Sequence, residues 1–206
     1  MMKRYLLFLP LIIFMTLACG DKLSTSTKDE SASVTTDFLA GTWTAKCVDN
    51  STASTSTKTV LVFSAAADNL SSASTKYSDL NCVTQNYVIT KTLITLSLGS
   101  KSTTSQHQII TKYSAVVSNI TLEPKTTNAA TSLNSSSYCG LTGWSSNTET
   151  SIAGLTCDSI SYKSQNAAYS DLIQINSEKT FIRLGNTTNL GSSGYPKTLY
   201  TVEYFK

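Results

Sequence analysis

Five cysteines and a single histidine are the side chains of this 206-residue chain whose types suit redox, metal or nucleophilic chemistry. Structural zinc takes four ligands from Cys and His, usually with closely spaced pairs. No C-x-x-C occurs here, and His107 is remote in sequence from every cysteine. A zinc site is therefore not expected. One histidine also removes most Ser-His-Asp and Cys-His arrangements. There is no G-x-S-x-G, no P-loop and no G-x-G-x-x-G. His107 lies in "SQHQII" and reads as a solvated or satisfied strand residue. Asp68, Asp79, Asp158 and Asp171 fall near expected turns, where aspartate caps the backbone. What remains for the cysteines is cross-linking or modification. No enzyme, no metal and no other cofactor is expected.

The first cysteine has a different setting from the rest. The chain opens "MMKRYLLFLPLIIFMTLACG", with Lys3 and Arg4 ahead of an apolar run from Tyr5 to Leu17. A membrane-crossing helix needs about 20 apolar residues, so the run is short for that purpose. It reads as a secretory signal peptide over residues 1–18. An ordinary cleavage near Ala18 would leave Cys19 incidental. The "TLAC" at its end, however, resembles the lipobox of bacterial lipoproteins, in which the cysteine is lipidated and becomes the first residue. That resemblance implies lipidation of Cys19 and attachment to the membrane through the lipid. Gly20, rather than aspartate, follows the cysteine, which by the same resemblance implies the outer membrane, on its periplasmic or exposed side.

With Cys19 lipidated, Cys47, Cys82, Cys139 and Cys157 are left in an exported protein, and such proteins pair their cysteines. Three pairings are open. Proximity in sequence favours Cys47–Cys82 and Cys139–Cys157. Loss of Lys3 and Arg4 with the leader takes the formal charge from +3 to about +1. That balance offers no basic face for nucleic acid. Charged residues are 14% of the chain, and Ser and Thr supply much of the polar surface instead.

Those four cysteines must be positioned by the elements around them. Residues 20–36, "GDKLSTSTKDESASVTT", are polar and aperiodic, so residues 19–36 form a lipidated cysteine and flexible tether. "DFLAG" allows one helical turn. From Trp43 onward the signals are those of strands. "TWTAKCV" sets Trp43, Ala45 and Cys47 on one face; "KTVLVFSA" and "SSASTKYSD" follow as two more strands. In "NYVITKTLITLSLG", alternation assigns Val88, Thr90, Thr92, Ile94, Leu96 and Leu98 to the apolar face. "QHQIITKYSAVVSNITLEP" holds one bent strand or two short ones, and residues 125–137 read as a Ser/Thr/Asn loop. The glycine-rich segment from Tyr138 to Cys157 is an irregular insert stapled by a disulfide. "YSDLIQINSEKTFIRLG" is a hairpin, and "KTLYTVEYFK" is the last strand. About eight short strands in series predict an all-β fold, a single antiparallel up-and-down β-barrel over residues 37–206, since closure removes exposed edges.

The motif "LAGTW" at the first strand resembles the Gly-x-Trp signature of lipocalins and other calycins. The last hairpin and the cysteine-bearing "YCGLTGW…GLTC" block are similar to a subgroup of bacterial lipocalin-like lipoproteins. The resemblance implies a barrel floor plugged by Trp43, with Gly41 letting the entering chain pass beneath. It also implies a basic residue packed over that tryptophan. Arg183 is the candidate; a surface arginine on a hairpin is the alternative. Two functions compete. In one, the barrel binds a small apolar molecule among Trp43, Phe63, Ile94, Leu96, Ile109, Ile173 and Phe181. In the other, those side chains are plain core, and the protein contacts an envelope partner through its loops. Trp144 in the insert would then be an exposed anchor, unless it caps the barrel mouth.

Overall fold

The computed structural model describes residues 34–104 and 108–206. The leader, Cys19, most of the tether and His107 lie outside the described residues. Thr35 caps a single helical turn, α1 (Thr36–Leu39), by accepting from the Phe38 amide at 3.3 Å. Strands β1 (Gly41–Ala45), β2 (Val48–Asn50), β3 (Thr55–Phe63), β4 (Leu70–Tyr77), β5 (Gln85–Thr103) and β6 (Ile109–Pro124) follow. Then come α2 (Thr127–Ser135), the short strands β7 (Thr150–Ser151), β8 (Thr156–Cys157) and β9 (Ile160–Ser161), and finally β10 (Ala168–Ile175), β11 (Phe181–Leu184) and β12 (Tyr204–Phe205).

Eight of these strands form a ring. The order runs β1–β3–β4–β5–β6–β10–β11–β12, and β12 pairs back to β1, every pair antiparallel. Closure is read in two registers on one short strand: Trp43 lies opposite Leu61, and Thr44 lies opposite Phe205. β2 continues the line of β1 along the same edge of β3. β7 adds to β6, and β8 and β9 make a separate hairpin.

Alternation places Trp43 and Ala45, Leu61 and Phe63, and Thr111, Tyr113, Ala115 and Val117 on buried positions two apart. Three register shifts interrupt the β5–β6 pairing, the last between Leu98 and Lys101, and the two before Leu98 reset the period of the core face. One extra residue on β6 shifts the register beside Leu93, so burial jumps from Val117 to Ile120. A second shift lies between Ile94 and Ser97, where Thr95 has φ 54°. Before it, Lys91 and Leu93 share the inner face; after it, Leu96 does. The expected face of Val88, Thr90, Thr92 and Ile94 is therefore the outer one, and Ile94 is half-buried while Leu93 is fully buried.

Three other expectations are corrected. Residues 125–137 are not a loop. Thr126 accepts from the Ala129 amide at 3.1 Å, and the helix it caps buries Ala129, Ala130 and Leu133. The last strand is shorter than "KTLYTVEYFK": only Tyr204 and Phe205 pair continuously, after an isolated bridge from Leu199 to Gly185. Asp171 is no turn residue but sits buried within β10.

The two disulfides are Cys47–Cys82 and Cys139–Cys157, with Cα atoms 5.9 and 4.2 Å apart. The first ties the end of β1 to the loop after β4. The second ties the segment after α2 to β8. The insert also docks through backbone bonds, from the Ile152 amide to the Ile120 carbonyl at 2.8 Å and from Asn147 to Pro124 at 2.7 Å.

Candidate functional site

One part of the interior is solid. Trp43 is fully buried and donates from its indole nitrogen to the Leu39 carbonyl at 2.8 Å, so α1 and β1 lock each other. Phe63, Leu96 and Ile173, three of the residues expected to hold a ligand, belong to this packed cluster with Leu61, Leu70, Leu93, Ile175 and Ile182. Ile94, Ile109 and Phe181 lie outside it and are half-buried. Phe181 stacks with Phe205 at 5.9 Å.

The basic lid over the tryptophan is present, but Arg183 does not supply it. Arg183 pairs with Glu203 and lies over the Phe181 ring at 5.0 Å. Lys206 takes the position instead. Its ammonium lies 5.3 Å from the Trp43 ring and 5.7 Å from the Phe38 ring, and it donates to the Phe38 carbonyl at 3.0 Å. Gly41 has φ +112°, and a Cβ there would come within 3.3 Å of the Lys206 side chain. Glycine thus serves both the turn and the close approach.

Trp144 is not an exposed anchor. It is 4% exposed and belongs to the core. Asn134 of α2 fixes its backbone, accepting from the Gly143 and Trp144 amides at 2.7 Å each and donating to the Trp144 carbonyl at 2.9 Å. The exposed apolar side chains are elsewhere, with Val83 at 74%, Ile160 at 58% and Leu190 at 50%.

Ile160 and Leu190 flank a cavity of about 590 Å³. It lies between the β8–β9 hairpin, the start of β10 and the loop from Thr187 to Gly194, and reaches Val117 and Ile120 on β6 and Lys91 on β5. That volume falls in the range of roughly 300–1,000 Å³ typical of small-molecule sites. None of the residues expected to bind a ligand lines it.

Behind the cavity wall lies a chain of polar groups. Lys91 donates to the Tyr169 hydroxyl at 2.8 Å, and its ammonium sits 4.2 Å from the centre of that ring. Tyr169 donates to Asp171 Oδ2 at 3.1 Å, and Tyr113 donates to the same oxygen at 3.2 Å. The Leu172 amide donates to Oδ1 at 2.7 Å. Both oxygens of this buried carboxylate are satisfied, as burial requires. Burial pushes the Asp171 carboxyl up to about 6, against the pull of the Leu172 amide, Lys91 and the two tyrosines. Burial lowers the pKa of Lys91, and Asp171 opposes that. Desolvation and the neighbouring carboxylate push Tyr113 and Tyr169 well above the ordinary tyrosine value.

Alternation along β5, read without its bulge, hides Lys91 on the polar face. The signal that finds it is the apolar pair at equal spacing around it: Ile89 and Leu93 lie two residues to either side and both pack with the core. No family model matches this chain, and no curated protein matches it significantly.

Proposed function

We propose that this chain is a lipid-anchored cell-envelope protein, lipidated at Cys19 and held at the outer membrane, whose strands form a lipocalin-like up-and-down barrel that binds a small apolar molecule. The observation that carries the ligand is the cavity of about 590 Å³ with two exposed apolar side chains, Ile160 and Leu190, at its edge. Exposed aliphatic side chains on two separate segments favour an apolar guest, because such a guest removes them from water. The site is displaced from the centre of the ring toward the insert, since Phe63, Leu96 and Ile173 fill the centre.

A second reading has its own support. The loop after β4 presents Val83 and Leu80 on a rigid base. Asp79 accepts from the amides of Asn81, Val83 and Thr84, and Cys82 bonds the loop to β1. In this reading a filled barrel meets an envelope partner through that loop. Native mass spectrometry of the exported protein separates the two. A reproducible adduct that leaves on denaturation supports the binding module. A bare mass even after exposure to apolar extracts refutes it and favours the loop.

A further inference from the structure

Lys91 has more hydrogen-bonding capacity than the protein uses. An ammonium carries three donors. One goes to the Tyr169 hydroxyl. Among the described residues Asp171 makes no direct hydrogen bond or ion pair with Lys91, because the Tyr169 hydroxyl stands between them, accepting from Lys91 and donating to Asp171. Lys91 itself lines the cavity. Among the described residues in that wall, Lys91 and Lys163 are the only charged side chains, and no carboxylate faces them there. Lys163 is exposed, whereas Lys91 is half-buried beside Val117 and Ile120.

We infer that the ligand is a single-chain amphiphile with an anionic head, a carboxylate or a phosphate, which pairs with Lys91 while its apolar chain runs along Val117 and Ile120 toward Ile160 and Leu190. This rests on the reading of the cavity as a ligand site. Tyr169 holds the ammonium in place from one side, and its hydroxyl relays the bond to Asp171. The head would therefore meet a pre-positioned cation. Hydrogen bonds to charged groups are the stronger kind, most of all where water is partly excluded.

The test compares three ten-carbon probes by calorimetric titration into the whole exported protein, freed of detergent, at neutral pH: decanoate, decanol and decyltrimethylammonium. Their tails are alike, so tail burial cancels. Decanoate is the expected tightest binder, about tenfold or more over decanol, with the cationic probe weakest. Lys91→Met should remove the preference for decanoate and leave decanol within about twofold, while Lys91→Arg should keep it. Lys163→Met should change neither. Equal affinity for decanoate and decanol overturns the inference and leaves the apolar cavity standing. Loss of the preference in Lys163→Met rather than Lys91→Met overturns the assignment. Binding of none of the three probes refutes both the inference and the ligand-binding reading. If Lys91→Met fails to fold, the order of the three probes on the unaltered protein still decides.

Discussion

The buried carboxylate gives stability a pH dependence that can be worked out in advance. Asp171 stands at 3.8 in an unfolded chain and at about 6 in the fold, chiefly because burial disfavours its charge. The folded carboxyl holds its proton more tightly, so protonation favours folding. That stabilisation is complete below about pH 3.8 and is lost as the pH rises through about 6. At about 1.36 kcal/mol for each tenfold change in proton affinity, it amounts to about 3 kcal/mol. This is a large share of the roughly 5–15 kcal/mol that holds a domain together. Asp171→Asn keeps the shape and removes the titration. The other carboxylates titrate alike in both proteins and cancel in the difference. Urea unfolding at several pH values between 4 and 7 reads the difference, and the buried Trp43 and Trp144 report the transition by fluorescence. Relative to the variant, the unaltered protein should lose most of this, about 2 kcal/mol, across that window, the remainder lying below pH 4. A difference that stays constant with pH would refute the account of Asp171 as a desolvated carboxylate, whatever its absolute size.

Other perturbations act on single links. Cys82→Ser opens a link between residues 35 apart in sequence and should lower stability by about 3–4 kcal/mol; the intact protein should weigh four hydrogens less than its fully reduced form. Lys206→Ala should shift the Trp43 emission and cost about 0.5–1 kcal/mol, whereas Arg183→Ala should leave that emission unchanged. If Cys19 is lipidated, Cys19→Ser should abolish incorporation of labelled palmitate and release of the mature form, both visible on a gel of membrane fractions.

Sequence pattern alone carried the class of fold and both disulfide pairings. The reason is local: period-two runs and short turns set each strand against its neighbour, and sequential pairing closes the ring. Trp43 and Gly41 were legible through the resemblance to the Gly-x-Trp signature rather than through periodicity. That resemblance implies a basic lid but leaves Arg183 open between lid and surface residue, because the lid depends on where distant chain segments meet. Arg183 and Lys206 both stand in the closing segments, and only the tertiary register decides that Lys206 reaches the ring. α2 was hidden by composition. Its sequence, TNAATSLNS, is rich in residues that prefer caps and turns, and it is helical because Thr126 caps it and Ala129, Ala130 and Leu133 find a buried face.

The candidate site was missed for a sharper reason. A slip of one residue moves every side chain of a strand to the other face. Near Thr95 an extra residue makes such a slip inside β5, so Leu96 is a sound guide only to the residues on its C-terminal side. Reading backward from Leu96 puts Ile94 inside and Lys91 in solvent. The structure has Leu93 inside, and Lys91 with it. A bulge of this kind does more than end an alternation. With unbroken pairing from Leu96 backward, the inner face would have carried Thr90 and Thr92, and the cavity wall would have held no cation from β5. The irregular step is what lets a strand with a packed apolar end present a lysine at its other end, beside Tyr169 and within reach of Asp171's field. Deleting Thr95 tests this. Without the extra residue Leu93 and Leu96 lie two apart and regular alternation holds both inside, with Lys91 on the same face two residues before Leu93. The shortened protein should therefore keep its fold and its decanoate binding, and loss of both would refute the account of Thr95 as the inserted residue.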